Sequence, residues 1–491
     1  MRHRLAGVNL SLGSPAFGDS VQRMTDSGGP PAPERGPTER PVGAAENNWL
    51  RTVTTQILFV LIVGLLFADQ NLLAPNLTAI GTEFGFTRAQ IDQQLGADVN
   101  LLFWMLGGVL TLAVGYLTDR GDLTAKLSRK WLLTIVTVIG QLACLGSGLA
   151  KNYDQLLWAR ALTGIGIGGA FPLIYSLIGD YYPPHKRASA TATLGLAQGL
   201  GIGIGQTLSG LLGPALGWRM PFFVVAVPGL LLSVVFALWA REPRRGQHEE
   251  GLRALIDSGQ VYEERFHLRD LPKLFAVRTN LLILLQALPG TVPWGVFFVY
   301  LNDYYAHDKG FSVPDATLLV MAVGVAAIFG GFVGGLIGQK VMNRNSRNLP
   351  LLCAVATTLA VGPMALLIEY PVRPGQSLLG PLLIGLLTGG LAAVTGPNVN
   401  TMLIAVNPPE RRGSAFSFFN LCNDLGRGLG AWIVGGMAAK LGRVSAFHIA
   451  NLMWLLCGGV LLSLVVLFPR DERALQDRLR ELSTRKLKSG E

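Results

Sequence analysis

The stretch Pro183-Pro184-His185-Lys186-Arg187-Ala188-Ser189-Ala190 returns 225 positions later as Pro408-Pro409-Glu410-Arg411-Arg412-Gly413-Ser414-Ala415. The same shift carries Thr163-Gly164 onto Thr388-Gly389 and Pro172 onto Pro397. A nearby shift of 220 relates Gly115-Tyr116-Leu117-Thr118-Asp119-Arg120 to Gly335-Leu336-Ile337-Gly338-Gln339-Lys340. Self-similarity at a long, nearly fixed offset marks a duplicated unit. The chain therefore reads as two related halves.

Both copies are embedded in apolar runs. Of 491 residues, 50% are hydrophobic and only 15% charged, which excludes an ordinary soluble enzyme and points to a membrane. A helix crosses the hydrocarbon layer with about 20 mostly apolar residues. Six such runs are Val53 to Leu73, Val99 to Leu117, Trp131 to Leu149, Leu156 to Tyr181, Ala188 to Leu212 and Phe222 to Ala240. Six more are Leu281 to Leu301, Leu318 to Ile337, Leu351 to Ile368, Leu378 to Ile404, Ala415 to Ala439 and Ile449 to Phe468. The expected fold is all-α, twelve transmembrane helices in two six-helix bundles related by an axis along the membrane normal.

The formal net charge of +10 suggests nucleic acid only if it forms a basic face, and here the basic residues sit in short segments between apolar runs. With both termini cytosolic, that side carries most of the 41 Lys and Arg residues, which orients the chain as a multi-pass protein of the plasma (inner) membrane. Residues 1–48, rich in Gly, Pro, Ser and Arg and without a cleavable apolar core, read as a disordered cytosolic tail. Residues 49–240 form the first bundle and 241–278 a cytosolic linker whose stretch Phe266 to Val277 lies along the interface. Residues 279–469 form the second bundle and 470–491 a basic cytosolic tail, with Leu475, Leu479 and Leu482 at helical spacing.

Cys144, Cys353, Cys422 and Cys457 lie singly in apolar stretches, without metal-ligand or disulfide spacing, so neither metal nor cofactor is expected. The runs Gly164 to Gly168 and Gly199 to Gly205 follow no strand, so they read as close helix packing rather than dinucleotide binding.

Duplication also helps separate packing from chemistry, because residues that only pack a helix pair tend to recur in both halves. Arg160 maps onto Gly385, Gly199 onto Asp424, and Ile202 onto Arg427, while Gln198 maps onto the similarly polar Asn423. A charged group at the centre of a spanning helix costs about 2.5–3.5 kcal/mol on insertion scales, so it usually faces protein or a watery cavity.

The segment Gly115 to Arg120, followed by Arg129 and Lys130, resembles the signature loop between helices 2 and 3 of the major facilitator superfamily. Its companion is Arg160-Ala161-Leu162-Thr163-Gly164-Ile165-Gly166 in helix 4. Within that superfamily, Phe67-Ala68-Asp69-Gln70, the Arg160 motif and Gly217-Trp218-Arg219 resemble the spinster group of lysolipid and sphingosine-phosphate transporters. Two positions depart from that group, Gln70 where it carries Arg and Ile167 where it carries an acidic residue. The resemblance implies a secondary transporter working by alternating access. It also implies that the loop at Asp119 and Arg120 docks against the start of helix 11 as a cytosolic gate.

Asp69 and Arg160 lie at matching depths in helices 1 and 4, so they can face each other. Arg160 then offers a fixed charge to an anionic group, bidentately where the geometry allows, with Asp69 as its titratable partner. The alternative is a permanent ion pair that only locks the two helices. Asp424 and Arg427, three apart on helix 11 with Asn420 and Asn423 nearby, form a polar stripe that suggests a cavity wall, or else a self-neutralising pair. Asn398 and Asn400, just past Pro397, and Trp294 and Tyr300 on helix 7 are further lining candidates. Pro172 and Pro397 are expected to bend helices 4 and 10.

A small or amphiphilic solute is expected as substrate, anionic and lysophospholipid-like, in a monomer with protons as a possible coupling ion. A soluble organic anion or a drug-like compound is the alternative within this class, and a non-transporting membrane ligand sensor the alternative outside it. No paired carboxylates, metal-spaced histidines or nucleophile triad gather in the spans, which argues against an enzyme.

Overall fold

In the computed structural model, the residues described are 42–119, 128–182, 184–243, 271–371, 377–407 and 409–489. Residues 50–491 form one compact unit, which contains both copies of the duplicated segments. Among the described residues every regular element is helical.

Among the described residues twelve long helices succeed one another in chain order. In the first half they are α1 Val42–Gln70, α2 Val99–Asp119, α3 Arg129–Leu149, α4 Tyr153–Tyr181, α5 Pro184–Leu216 and α6 Met220–Trp239. In the second they are α7 Arg278–Asp303, α8 Val313–Arg344, α9 Asn348–Ile368, α10 Leu379–Val406, α11 Pro409–Leu441 and α12 Arg443–Ser489. Each apolar run of the sequence falls on one of them. α1 begins at Val42, inside the segment read as tail, and α12 continues through the expected tail to Ser489. Of the linker, residues 241–243 and 271–278 are described, the latter with a short helix, Leu271–Phe275, and the rest of the stretch read as interfacial, 266–270, lies outside the described residues.

Ten of these helices are long and apolar enough to cross a membrane among the described residues. The other two, α5 and α11, have 33 residues each and are long enough, but they interleave glycine with Gln, Asn and charged residues. They occupy equivalent places in the duplication, and polar helices of this kind are tolerated where they face protein or a cavity instead of lipid. Large apolar side chains are exposed on the others, with Leu231, Leu238, Phe329 and Phe332 between 63% and 81% exposed, and in smaller number on these two, as at Leu196 of α5 and Ile433 of α11.

The duplication is visible in backbone contacts. A Cβ on Gly164 of α4 would collide with the carbonyl of Phe103 on α2, and one on Gly389 of α10 with the carbonyl of Val323 on α8. Gly164 and Gly389 are 225 apart, Phe103 and Val323 220 apart, so both shifts found in the sequence join in one packing contact. Gly201 and Gly205 of α5 lie equally close to the α1 carbonyls of Gly64 and Ala68. The glycine runs are thus seams between helices.

Proline acts differently in the two halves. α4 runs unbroken through Pro172, whereas α10 is interrupted at Val394, three residues before Pro397. The Asn398 amide bridges this break, its Nδ2 donating to the carbonyls of Val394 (2.8 Å) and of Gly334 on α8 (3.0 Å).

We call the end of the bundle where α1 starts the terminal face and the opposite end the distal face. Toward the terminal face each half has its own core. Leu58, Phe59, Leu133, Leu177 and Phe236 pack in the first, and Ile283, Leu349, Met402, Leu461 and Phe468 in the second. Toward the distal face a single core takes residues from both, among them Leu72, Ile91, Leu95, Trp218, Tyr300 and Phe447. α2 packs on α11 and α5 on α8, again equivalent pairs. The glycine contacts between them run from Gly108 against Leu421 to Gly435 against Ala97, and from Gly199 against Ile328 to Gly210 against Thr317, from the middle of α2 and α5 toward their distal ends.

Candidate functional site

A cavity of about 900 Å³ lies between the halves, bordered by the same stretches of α2, α5, α8 and α11. It extends toward the terminal face as far as Gln286 of α7 and Asn400 of α10. Its walls are largely apolar, with Trp294 stacked on Phe298 at 5.5 Å and meeting Trp454 edge-on at 5.9 Å. Among the described residues Arg427 is the one charged side chain that lines it.

Arg427 is one third exposed and leans on the face of the Trp104 ring, its guanidinium carbon 4.9 Å from the centroid. The Asp424 carboxylate is 3.5 Å away at its nearest oxygen, a loose contact, and it faces Gly108 of α2 rather than the cavity. Asn420 and Asn423 line the wall beside Arg427, and Asn400 and Trp294 line it elsewhere.

Other residues singled out in the sequence lie off this wall. Asp69 and Arg160 are 1% and 2% exposed and form a buried pair, Arg160 Nη1 donating to Asp69 Oδ1 at 2.6 Å. Arg160 Nη2 also donates to the carbonyls of Asp69 (3.2 Å) and Gln70 (3.3 Å), as the exit of α1 turns beneath it. Phe103 and Phe222 flank the guanidinium. A small hollow of about 10 Å³, lined by Arg160 with Gln70, Asn71 and Asn100, lies beside the pair, and those three amides line the main cavity too. Asn398 is spent on the α10 break, and Tyr300 is buried in the distal core, its hydroxyl donating to the carbonyls of Asp92 (2.9 Å) or Ala431 (3.1 Å). Asp119 ends α2, but its side chain and the whole of Arg120 lie outside the described residues.

The distal face is closed by a lattice of charges that sequence reasoning missed. Arg443, the first residue of α12, donates to Asp303 (2.8 Å) and Asp308 (2.6 Å) of its own half and to Asp92 of the other. Arg88 of the first half donates to Asp303 (2.7 Å), and Thr78 to the other oxygen of that carboxylate (2.6 Å). Asp92 and the Tyr304–Asp308 segment lie in π-helical turns, which widen the helix ends and aim these side chains at the boundary. In the sequence they are ordinary loop charges, with no spacing that signals a cluster.

The sequence profile described as Major Facilitator Superfamily matches residues 59–431. The chain belongs to the Major Facilitator Superfamily.

This major facilitator is a multi-pass integral membrane protein and a secondary transporter by family. It is 25% identical over 349 residues to the uncharacterized MFS-type transporter YfhI of Bacillus subtilis, covering 70% of this chain and 77% of that protein. It is 25% identical over 415 residues to the 4-hydroxybenzoate transporter PcaK of Acinetobacter baylyi, covering 78% and 84%. Its fold matches a crystal structure of a bacterial homolog of the human lysosomal transporter Spinster, inward-facing and unoccupied, with a TM-score of 0.68 and 21% identity over 86% of this chain and 97% of that one. The spinster resemblance read from the Asp69, Arg160 and Trp218 segments thus has its counterpart in the fold. Trp218 and Arg219 both bond Glu83 at 2.7 Å, tying the α5–α6 turn to the short helix Leu77–Glu83.

Proposed function

We propose that this transporter moves an amphiphile carrying a single anionic group, of the lysophospholipid kind, by rocking residues 49–240 against residues 279–469 about the central cavity. The observation that carries this reading is Arg427. One cation, backed by Trp104 and set among apolar and aromatic walls, suits a ligand with one negative group and a greasy body. The termini are assigned to the cytosol of a plasma (inner) membrane on the distribution of Lys and Arg. The closed distal lattice and the separate terminal cores then favour an inward-open state, and the working unit we propose is a monomer.

Asp69 is the group we assign to proton coupling. One of its carboxylate oxygens bonds Arg160, the Cys144 thiol lies close to the carboxylate, and the small hollow beside the pair borders the cavity. Flux into proteoliposomes of lysolipids and organic anions, with and without an imposed pH gradient, tests both parts. Saturable uptake of an anionic amphiphile that is lost in Arg427→Ala supports the first, and loss of the pH effect in Asp69→Asn supports the second. Uptake indifferent to both substitutions sinks them.

A second reading, a soluble aromatic carboxylate, is favoured by the 4-hydroxybenzoate transporter among the relatives and by the stacked Trp294 and Phe298. The same panel decides between the two.

A further inference from the structure

The cavity wall opposite α11 has a feature that the anionic reading does not use. Gln206, in the middle of α5, is 1% exposed, and neither its Nε2 nor its Oε1 has a hydrogen-bond partner in the protein. Asn71, just past the end of α1, is 6% exposed with its Nδ2 unpartnered, and the Oε1 of Gln70 beside it is unpartnered as well. All three side chains line the cavity. Close packing of Gly205 on the Ala68 carbonyl holds this part of α5 against the end of α1.

A buried amide without a partner loses its bonds to water and gains none in return, so it destabilises the fold. Seven other buried side-chain atoms of the described residues, among them Gln141 Oε1, Asn302 Oδ1 and Asn451 Oδ1, also lack a partner, each alone in its surroundings among the amides, while several buried amides are satisfied. Asn76 is bonded to Ser209, Asn280 and Asn407 are bonded to each other, and Asn398 is bonded to two carbonyls. Among the described residues, four of the unpartnered buried side-chain atoms belong to these three amides on one wall. Packing does not need them there, since an apolar side chain would fill the same space without the penalty.

We propose that Asn71 and Gln206, with Gln70, form a neutral hydrogen-bonding subsite that takes a hydroxyl group of the substrate. The wall offers two donors, Asn71 Nδ2 and Gln206 Nε2, and two acceptors, Gln70 Oε1 and Gln206 Oε1. A hydroxyl both donates and accepts and so satisfies such a mixed set. A carboxylate or phosphate would meet the two acceptors unfavourably, and an ammonium the two donors. The subsite deepens the proposed reading, on which Arg427 holds the anionic group, by adding a hydroxyl as a second point of recognition. That hydroxyl belongs either to the glycerol of a lysolipid or to the ring of an aromatic acid.

Paired probes distinguish the two sources. Flux in proteoliposomes is measured for lysophosphatidate against its 2-deoxy analogue, and for 4-hydroxyphenylacetate against phenylacetate. The intact transporter is expected to prefer the hydroxyl member of the pair it carries by about tenfold, the discrimination one buried hydrogen bond supplies. Gln206→Leu and Asn71→Leu should bring that ratio close to one while still carrying the deoxy member, and Arg427→Ala should depress both members alike. If one leucine variant fails to fold, the other gives the same readout. A hydroxyl-to-deoxy ratio left unchanged in a folded leucine variant overturns the subsite while the anionic reading stands. Flux of neither pair, or flux indifferent to Arg427→Ala, overturns both.

Discussion

Arg88 and Asp303 come from opposite halves of the chain and meet at the distal face, Nη2 of the one 2.7 Å from Oδ2 of the other. Asp303 is fully buried there and also holds Arg443 and Thr78. Removing one partner from a buried charge cluster costs about 3–5 kcal/mol. Asp303→Asn is therefore expected to release the distal face. Spin labels at Thr82 and Leu441, one on each half, should report a longer-distance population raised at least tenfold. An unchanged distance distribution would show that the lattice does not hold the face shut.

Arg427 predicts a kinetic signature. Arg427→Ala should raise KM for an anionic substrate by about tenfold or more, the worth of one charge-assisted hydrogen bond. Arg427→Lys keeps the charge but loses the planar contact with Trp104, so its KM should fall between those of wild type and alanine. Identical kinetics for the three proteins would remove Arg427 from the site.

The Asp69–Arg160 pair predicts a stability effect separable from transport. Arg160→Leu leaves the Asp69 charge buried and alone, a loss of about 3–5 kcal/mol that should appear as a lowered Tm in detergent. Adding Asp69→Asn removes that lone charge, so the double variant should recover part of the loss. If the double variant is no more stable than Arg160→Leu, the two residues are not coupled through charge.

Much of the fold was legible because membrane crossing imposes length and apolarity, and duplication repeats the residues that pack. The 225 and 220 shifts predicted equivalent helix pairs, and Gly164 on Phe103 matches Gly389 on Val323. The site was less legible because polarity in a sequence does not say what a side chain faces. Asn398 and Tyr300 had the chemistry of cavity residues, but one bridges a helix break and the other bonds carbonyls in the distal core. Gln206 and Asn71 looked like any other amides, since their distinction is the lack of partners after folding. Asp92, Asp303 and Arg443 are far apart in sequence, and only the approach of three helix ends makes them neighbours.

Close helix approach predicts a graded set of substitutions. A Cβ on Gly168 would overlap the backbone of Gly107, so Gly168→Val should separate α2 from α4 and cost at least ~1–3 kcal/mol. Gly203 faces open space, so Gly203→Ala should leave the Tm near that of wild type. Equal thermal stability of the two variants would contradict the seam.

α7 is gripped by α12 at both ends. At the distal end Arg443 binds Asp303, and near the terminal face the Asp471 carboxylate accepts the backbone N–H of Thr279, one of the unpaired donors at the start of α7. α12 is a single 47-residue helix, about 70 Å at 1.5 Å per residue. It therefore serves as a splint along the cavity wall that carries Trp294 and Gln286. On the proposed rocking of the halves, that wall travels as a stiff panel, and the work of reshaping the cavity falls on α10, whose helix is already divided at Val394.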